Sequence, residues 1–211
     1  MAKYPIYLLL LLLISCSSEG EHKTSKIPEK SVRESQNCHE DTLNKYLPGL
    51  IGKLKKEKAN NEDIAKFIDL FTLYSNLKPH CLDKIELGEK NVPGDMYLKI
   101  TELAKQGNKQ AAVAILKSSI SWYGNTVEGS EFHSELLWDI YSDRTSVILN
   151  SLASLEPKIR KEIIEKEFIG PLLDYDYRAI LDSLNEYQAP DSFKSDFDLL
   201  KSYLDTIYEN N

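Results

Sequence analysis

The sequence predicts an all-α protein built from stacked antiparallel helix pairs, and three observations carry that prediction. Large apolar residues recur at three- and four-residue steps in segment after segment. No segment shows the two-residue alternation of a half-buried strand. Turn-forming residues fall at the ends of the periodic segments. The 211 residues are 42% hydrophobic and 28% charged, which suits one globular core and excludes collagen-like, low-complexity and multi-span membrane classes.

The chain opens with one positive side chain, Lys3, and an apolar run from Ile6 to Ile14 that contains Leu8 to Leu13. Nine helical residues span about 14 Å, under half a bilayer's hydrocarbon thickness, so the run reads as the apolar region of a secretory signal peptide. Residues 17–37 hold only Ile27 and Val32 as large apolar side chains, and their four acids and four bases cancel. Such a segment cannot bury enough surface to offset its ordering entropy, and it is expected to be a spacer with an rms reach of about 25 Å. The expected division is therefore a signal peptide over 1–15, Cys16 and a tether over 16–37, and a helical domain over 38–211.

Within that domain, Ile64, Phe67, Ile68, Phe71 and Tyr74 mark one helix face, and Ile180, Leu181, Leu184 and Tyr187 mark another. Phe193, Phe197, Leu200, Tyr203, Leu204 and Ile207 mark a third. The expected pairs are 40–57 with 61–77, 94–106 with 108–122, 130–154 (with a break near Asp143) with 157–168, and 172–187 with 191–208. Asn60-Asn61, Pro93-Gly94, Gly107, Gly124, Pro157, Gly170-Pro171 and Pro190 separate them. Pro48-Gly49 falls inside the first pattern, where proline removes a backbone donor.

Two resemblances extend this reading. Leu13-Ile14-Ser15-Cys16 resembles the bacterial lipobox, which implies diacylglycerol on the Cys16 sulfur, cleavage before Cys16 and acylation of the new amino terminus. Several acyl chains together hold a protein at a bilayer. Ser17 stands where inner-membrane lipoproteins often carry aspartate, so the resemblance implies an outer-membrane anchor facing the periplasm. In the domain, pair starts spaced by roughly forty residues resemble a helical solenoid such as a HEAT-like array, with an irregular helical bundle as the alternative.

Cys38 and Cys81 remain as a pair in an oxidising compartment, one before the first helix and one after the second. An antiparallel hairpin brings those ends together, so a Cys38–Cys81 disulfide is expected. His39 and His80 suggest a zinc site instead, but adjacent ligands diverge and zinc motifs leave two or more residues between ligands on each arm. No metal and no cofactor is assigned.

Charge divides the domain. Residues 38–124 carry 13 bases and 11 acids, whereas residues 125–211 carry 8 bases and 18 acids. An acidic second half disfavours nucleic acid and would attract a cationic partner. Asp174, Asp176, Asp196 and Asp198 are candidate contacts, and Trp122 and Trp138 join them if their aromatic cluster is exposed rather than core. Lys53, Lys55, Lys56 and Lys58 cluster at the end of the first helix, where they complement its dipole.

Glu131, His133 and Glu135, with Asp139 a turn beyond, form the one constellation that invites acid–base chemistry or cation binding. No nucleophile elbow, phosphate loop, dinucleotide glycine pattern or His-Glu-x-x-His occurs. The expected function is therefore binding of another protein in the cell envelope, as in immunity-type neutralisation of a basic partner. The alternatives are an envelope-assembly adaptor, a hydrolase with a dispersed site near His133 and Glu135, and a ligand-carrying lipoprotein.

Overall fold

The computed structural model describes residues 38–82, 84–85, 92–169 and 177–210. Cys16, the lipobox and the tether lie outside the described residues, as do Asp174 and Asp176. Among the described residues there are α1 (Glu40–Lys55), α2 (Asn61–Ser75), the single turn α3 (Pro79–Leu82), α4 (Val92–Lys105), α5 (Lys109–Ser119), α6 (Val127–Asp143), α7 (Thr145–Ala153), α8 (Pro157–Ile163), α9 (Tyr177–Glu186) and α10 (Lys194–Asn210), and no strand. A 3-10 turn, Tyr123–Asn125, precedes α6, and α8 widens into a π turn over Ile164–Phe168.

Local chemistry sets the boundaries. The Asn60 side chain accepts from the Asp63 amide at 2.8 Å, and the Asp63 side chain accepts from the Asn60 amide, a reciprocal capping box. Asn108 and Thr126 cap α5 and α6 by accepting from the amides of Ala111 and Gly129. Gly107 takes φ of 91°, the left-handed conformation that closes the α4–α5 turn. Pro93 sits in the first turn of α4, where a missing amide costs nothing, so the helix begins before Gly94 rather than after it. α1 runs through Pro48, carried by the burial of Leu43, Leu47, Leu50, Ile51 and Leu54. Lys53 and Lys55 pair with Asp63 at 2.6 Å and Asp95 at 2.5 Å, so part of the basic cluster joins α1 to α2 and α4.

The expected long helix over 130–154 is broken at Arg144, whose φ of −143° and ψ of 55° turn the chain between α6 and α7. Lys105 at the end of α4 clasps that corner, reaching Asp139 at 3.0 Å and Asp143 at 2.5 Å, while Arg144 Nε donates to the Lys105 carbonyl at 3.1 Å.

The helices stack in two rows. α1, α4, α6 and α9 lie side by side, and α2, α5 and α7 with α8 lie behind them; α10 closes the series against α9 and the π turn. Substantial packing among the described residues joins only consecutive members, the neighbour-to-neighbour pattern of a helical stack. α5 is the most enclosed element. Ala111, Ala112, Ala114, Ile115, Leu116, Ser118 and Ser119 are all buried, and their small side chains let α2, α4, α6, α7 and α8 approach.

Cys38 and Cys81 form a disulfide, with Cα atoms 5.2 Å apart, that closes the open end of the α1–α2 hairpin. His80 stands beside it, but sulfurs joined to each other offer no thiolate to a metal.

Candidate functional site

The structure separates the residues singled out in the sequence. Trp138 is fully buried, so its place as a surface contact is corrected: it is a core residue. Leu137, Ile140 and Tyr141 share its buried stretch of α6, and its indole N–H donates to the Glu167 carbonyl at 2.7 Å. Trp122 is 47% exposed, beside the 3-10 turn. Asp198 is exposed on α10. Asp196 is instead half-buried and engaged, accepting from Arg160 Nε at 2.5 Å. Arg160 is itself buried, donates to the Ser192 carbonyl at 2.7 Å and lies over the Phe193 ring, so the pair fastens α10 to α8.

His133 and Glu135 also part company. On α6 they are two residues, or about 200°, apart, which buries His133 completely and leaves Glu135 on the exposed side. His133 Nδ1–H donates to the Gly129 carbonyl at 2.7 Å, which fixes the tautomer, so Nε2 accepts from the Ser118 hydroxyl at 2.9 Å. Tyr97 and Tyr123 pack against the imidazole at centroid distances of 5.1 and 5.9 Å. Burial pushes the imidazole down to about 4, so it is neutral at physiological pH.

That burial makes a prediction. The folded value lies below the ordinary 6.5, so the stabilisation is complete above pH 6.5 and is lost as pH falls towards 4. Urea unfolding is expected to show about 2 to 3 kcal/mol less stability from this group at pH 4.5 than at pH 7.5. His133→Gln should flatten the profile over that interval; an unchanged slope would assign the acid sensitivity elsewhere.

A second buried polar group adjoins the first. The Glu167 carboxylate, on the π turn, accepts from Ser134 Oγ at 2.8 Å. Its other oxygen, 3.7 Å from Lys166 Nζ, has no hydrogen-bond partner among the described residues. Burial raises its pKa above the ordinary carboxylate range. Lys166 donates to the carbonyls of Ser119 and Gly124 and to Asn125 Oδ1 at 2.9 Å, tying the π turn to the 3-10 turn. Gly124 makes this approach possible, since a Cβ there would fall 2.0 Å from the Ser119 carbonyl oxygen. These groups lie inside the stack, bonded to one another except at that one Glu167 oxygen, and His133 and Glu167 are fully buried.

Two features do face outwards. The first is acidic. Glu128, Glu131 and Glu135 are exposed at three- and four-residue spacing along α6, and Asp182 and Glu186 are exposed four residues apart on the adjacent α9. Asp139, the next member of the α6 series, is held by Lys105. Val127 and Leu98, 76% and 53% exposed, stand on α6 and its other neighbour α4.

The second is an apolar cleft of about 400 Å³ lined by Tyr74, Leu77, Leu82, Tyr97, Tyr123 and Phe132, with Ser75, Pro93 and Gly94. Its aromatic floor is ordered edge to face: Tyr97 meets Phe71 at 5.0 Å and Phe132 at 5.4 Å. Burial raises the Tyr74 and Tyr97 phenols above their ordinary value. The sequence reading did not assemble this cleft, because its residues come from α2, α3, α4, the 3-10 turn and α6. The available signal was partial: Tyr74 marked a helix face, and Tyr123 belonged to the aromatic cluster.

No protein-family model matches the chain, and comparison with curated proteins and with solved structures returns no match either.

Proposed function

We propose that this is a lipid-anchored protein of the cell envelope that binds a basic partner protein along the outer face of α6 and α9. One observation carries the reading: Glu128, Glu131 and Glu135 are exposed at three- and four-residue spacing along α6, and Asp182 and Glu186 are exposed on α9, which packs on α6. Such a field steers a cationic partner to the surface and fixes its orientation. Exposed Val127, one residue before Glu128, offers an apolar anchor beside it. The lipobox-like Leu13-Ile14-Ser15-Cys16 supports anchoring on the periplasmic side of an outer membrane. Neutralisation of a basic protein, the immunity-type role, is the form of binding that this charge favours. The buried state of His133 does not favour a hydrolytic centre beside Glu135.

The test is capture from envelope extract at graded salt. Reversing Glu128, Glu131, Glu135 and Asp182 to lysine is expected to lower capture of the salt-sensitive partner at least about tenfold and to flatten its salt dependence. Asp198→Lys, on α10, should leave capture unchanged, and so should His133→Gln. If Asp198→Lys were the damaging change, the surface would lie on α10 and this assignment would be wrong.

A further inference from the structure

We propose that the aromatic cleft between α2, α4 and α6 is a binding site for one ester-linked acyl chain of a membrane lipid. The lining names the chemistry. None of the nine described lining residues is charged, and six of them present aliphatic or aromatic side chains of large size. A volume of about 400 Å³ falls within the range of roughly 300 to 1,000 Å³ for small-molecule sites, and exceeds twice the roughly 150 Å³ of a cavity that admits benzene. An extended peptide would bring an amide and a carbonyl with every residue, and each would need a partner. Among the described lining side chains the polar groups are three phenols and Ser75; the Tyr97 phenol already bonds to Ser118, and the Ser75 hydroxyl donates to the Thr72 carbonyl at 3.1 Å. A hydrocarbon chain makes no such demand. The phenols of Tyr74 and Tyr123 suit an ester carbonyl, and the described lining residues hold no cation to meet a free carboxylate.

The position of the cleft names the source. Leu82, in its wall, follows Cys81, which is bonded to Cys38, the residue at which the 37-residue N-terminal segment joins the domain. Cys38 therefore lies beside the wall of the cleft. Trp122, the exposed chain neighbour of Tyr123 in the wall, is of a residue type favoured at bilayer interfaces. The delivery of lipid rests on the anchored reading above; occupancy of the cleft does not, and it can be measured without the anchor.

The probe is lysophosphatidylcholine with one brominated acyl chain, titrated into the full chain carrying Cys16→Ser. Uptake is read from the quenching of Trp122, with Trp122→Phe as the spectroscopic control. The expected result is saturable 1:1 binding. Gly94→Leu is the blocking variant: Gly94 lines the cleft, a Cβ there meets nothing within 4 Å, and in the first turn of α4 leucine adds apolar bulk to the lining while favouring the helix. It should keep its thermal midpoint and bind at least tenfold more weakly. The acid-to-lysine variant of α6 and α9 should bind the probe like the parent, which separates this site from the protein-binding face. Equal binding by Gly94→Leu, or no saturable binding by the parent, overturns the assignment. Tighter binding of a brominated free fatty acid overturns the ester. If the lipidated protein refuses the probe that the Cys16→Ser form accepts, the occupant is the protein's own acyl chain, and the bilayer source is overturned.

Discussion

Replacing Trp138 with alanine is expected to cost about 5 kcal/mol, the upper end of the roughly 3 to 5 kcal/mol seen for truncation of a buried aromatic. The indole is fully buried and meets Tyr141 at 5.6 Å, Phe168 at 6.1 Å and Tyr177 at 5.8 Å, so one side chain joins α6, the π turn and α9. Alanine leaves a cavity at that junction and deprives the Glu167 carbonyl of its 2.7 Å donor. Trp138→Phe retains most of the ring volume and loses the donor, so it should cost far less, about 1 to 2 kcal/mol. Urea midpoints of the two variants measure the difference. A loss below about 1 kcal/mol for alanine would show that the junction closes without the indole.

The second large effect is expected at the other end of the stack. Cys38→Ala with Cys81→Ala removes a bridge between residues 43 apart, and on the chain-entropy model this costs about 4 kcal/mol. For a domain of this size the thermal midpoint should fall by about 10 °C. Alanine is the right replacement because both sulfurs are buried, and a serine hydroxyl would add a desolvation cost of its own. Wild-type protein under reductant should match the double variant. A midpoint insensitive to both treatments would mean that packing of α1 on α2 alone closes the hairpin.

Much of the fold was legible because its causes are local. Asn60 announces a helix start by the side-chain oxygen it offers to a free amide, and Gly107 a turn that needs positive φ, whereas the Thr126 cap, which starts α6 at Val127 rather than at the expected 130, was not read. The bend near Asp143 was readable to within one residue. The expected Cys38–Cys81 bridge is present, since its location follows from hairpin geometry alone. What stayed hidden depends on partners distant in sequence. Nothing local to Asp196 says that Arg160, 36 residues earlier, will claim it. Trp138 and Trp122 are the same residue type in one aromatic cluster, yet only the packing of α6 against the π turn and α9 makes the first a core residue. The π turn has no composition of its own, and its role in bringing Lys166 to the carbonyls of Ser119 and Gly124 emerges only when those turns meet. The acidic row was half visible, because the spacing of Glu131, Glu135 and Asp139 is local while the claim of Lys105 on Asp139 is not.

The neighbour-to-neighbour packing leaves each end of the stack with a single flank, and each end carries a different clasp. The α1–α2 end is held by a covalent bond that responds to redox potential and is indifferent to salt. At the α10 end the Arg160–Asp196 ion pair is indifferent to reductant and weakens as ionic strength rises, although its depth limits the screening. Opening of the molecule is therefore expected to be directional: reducing conditions loosen it from the α1–α2 end and concentrated salt from the α10 end.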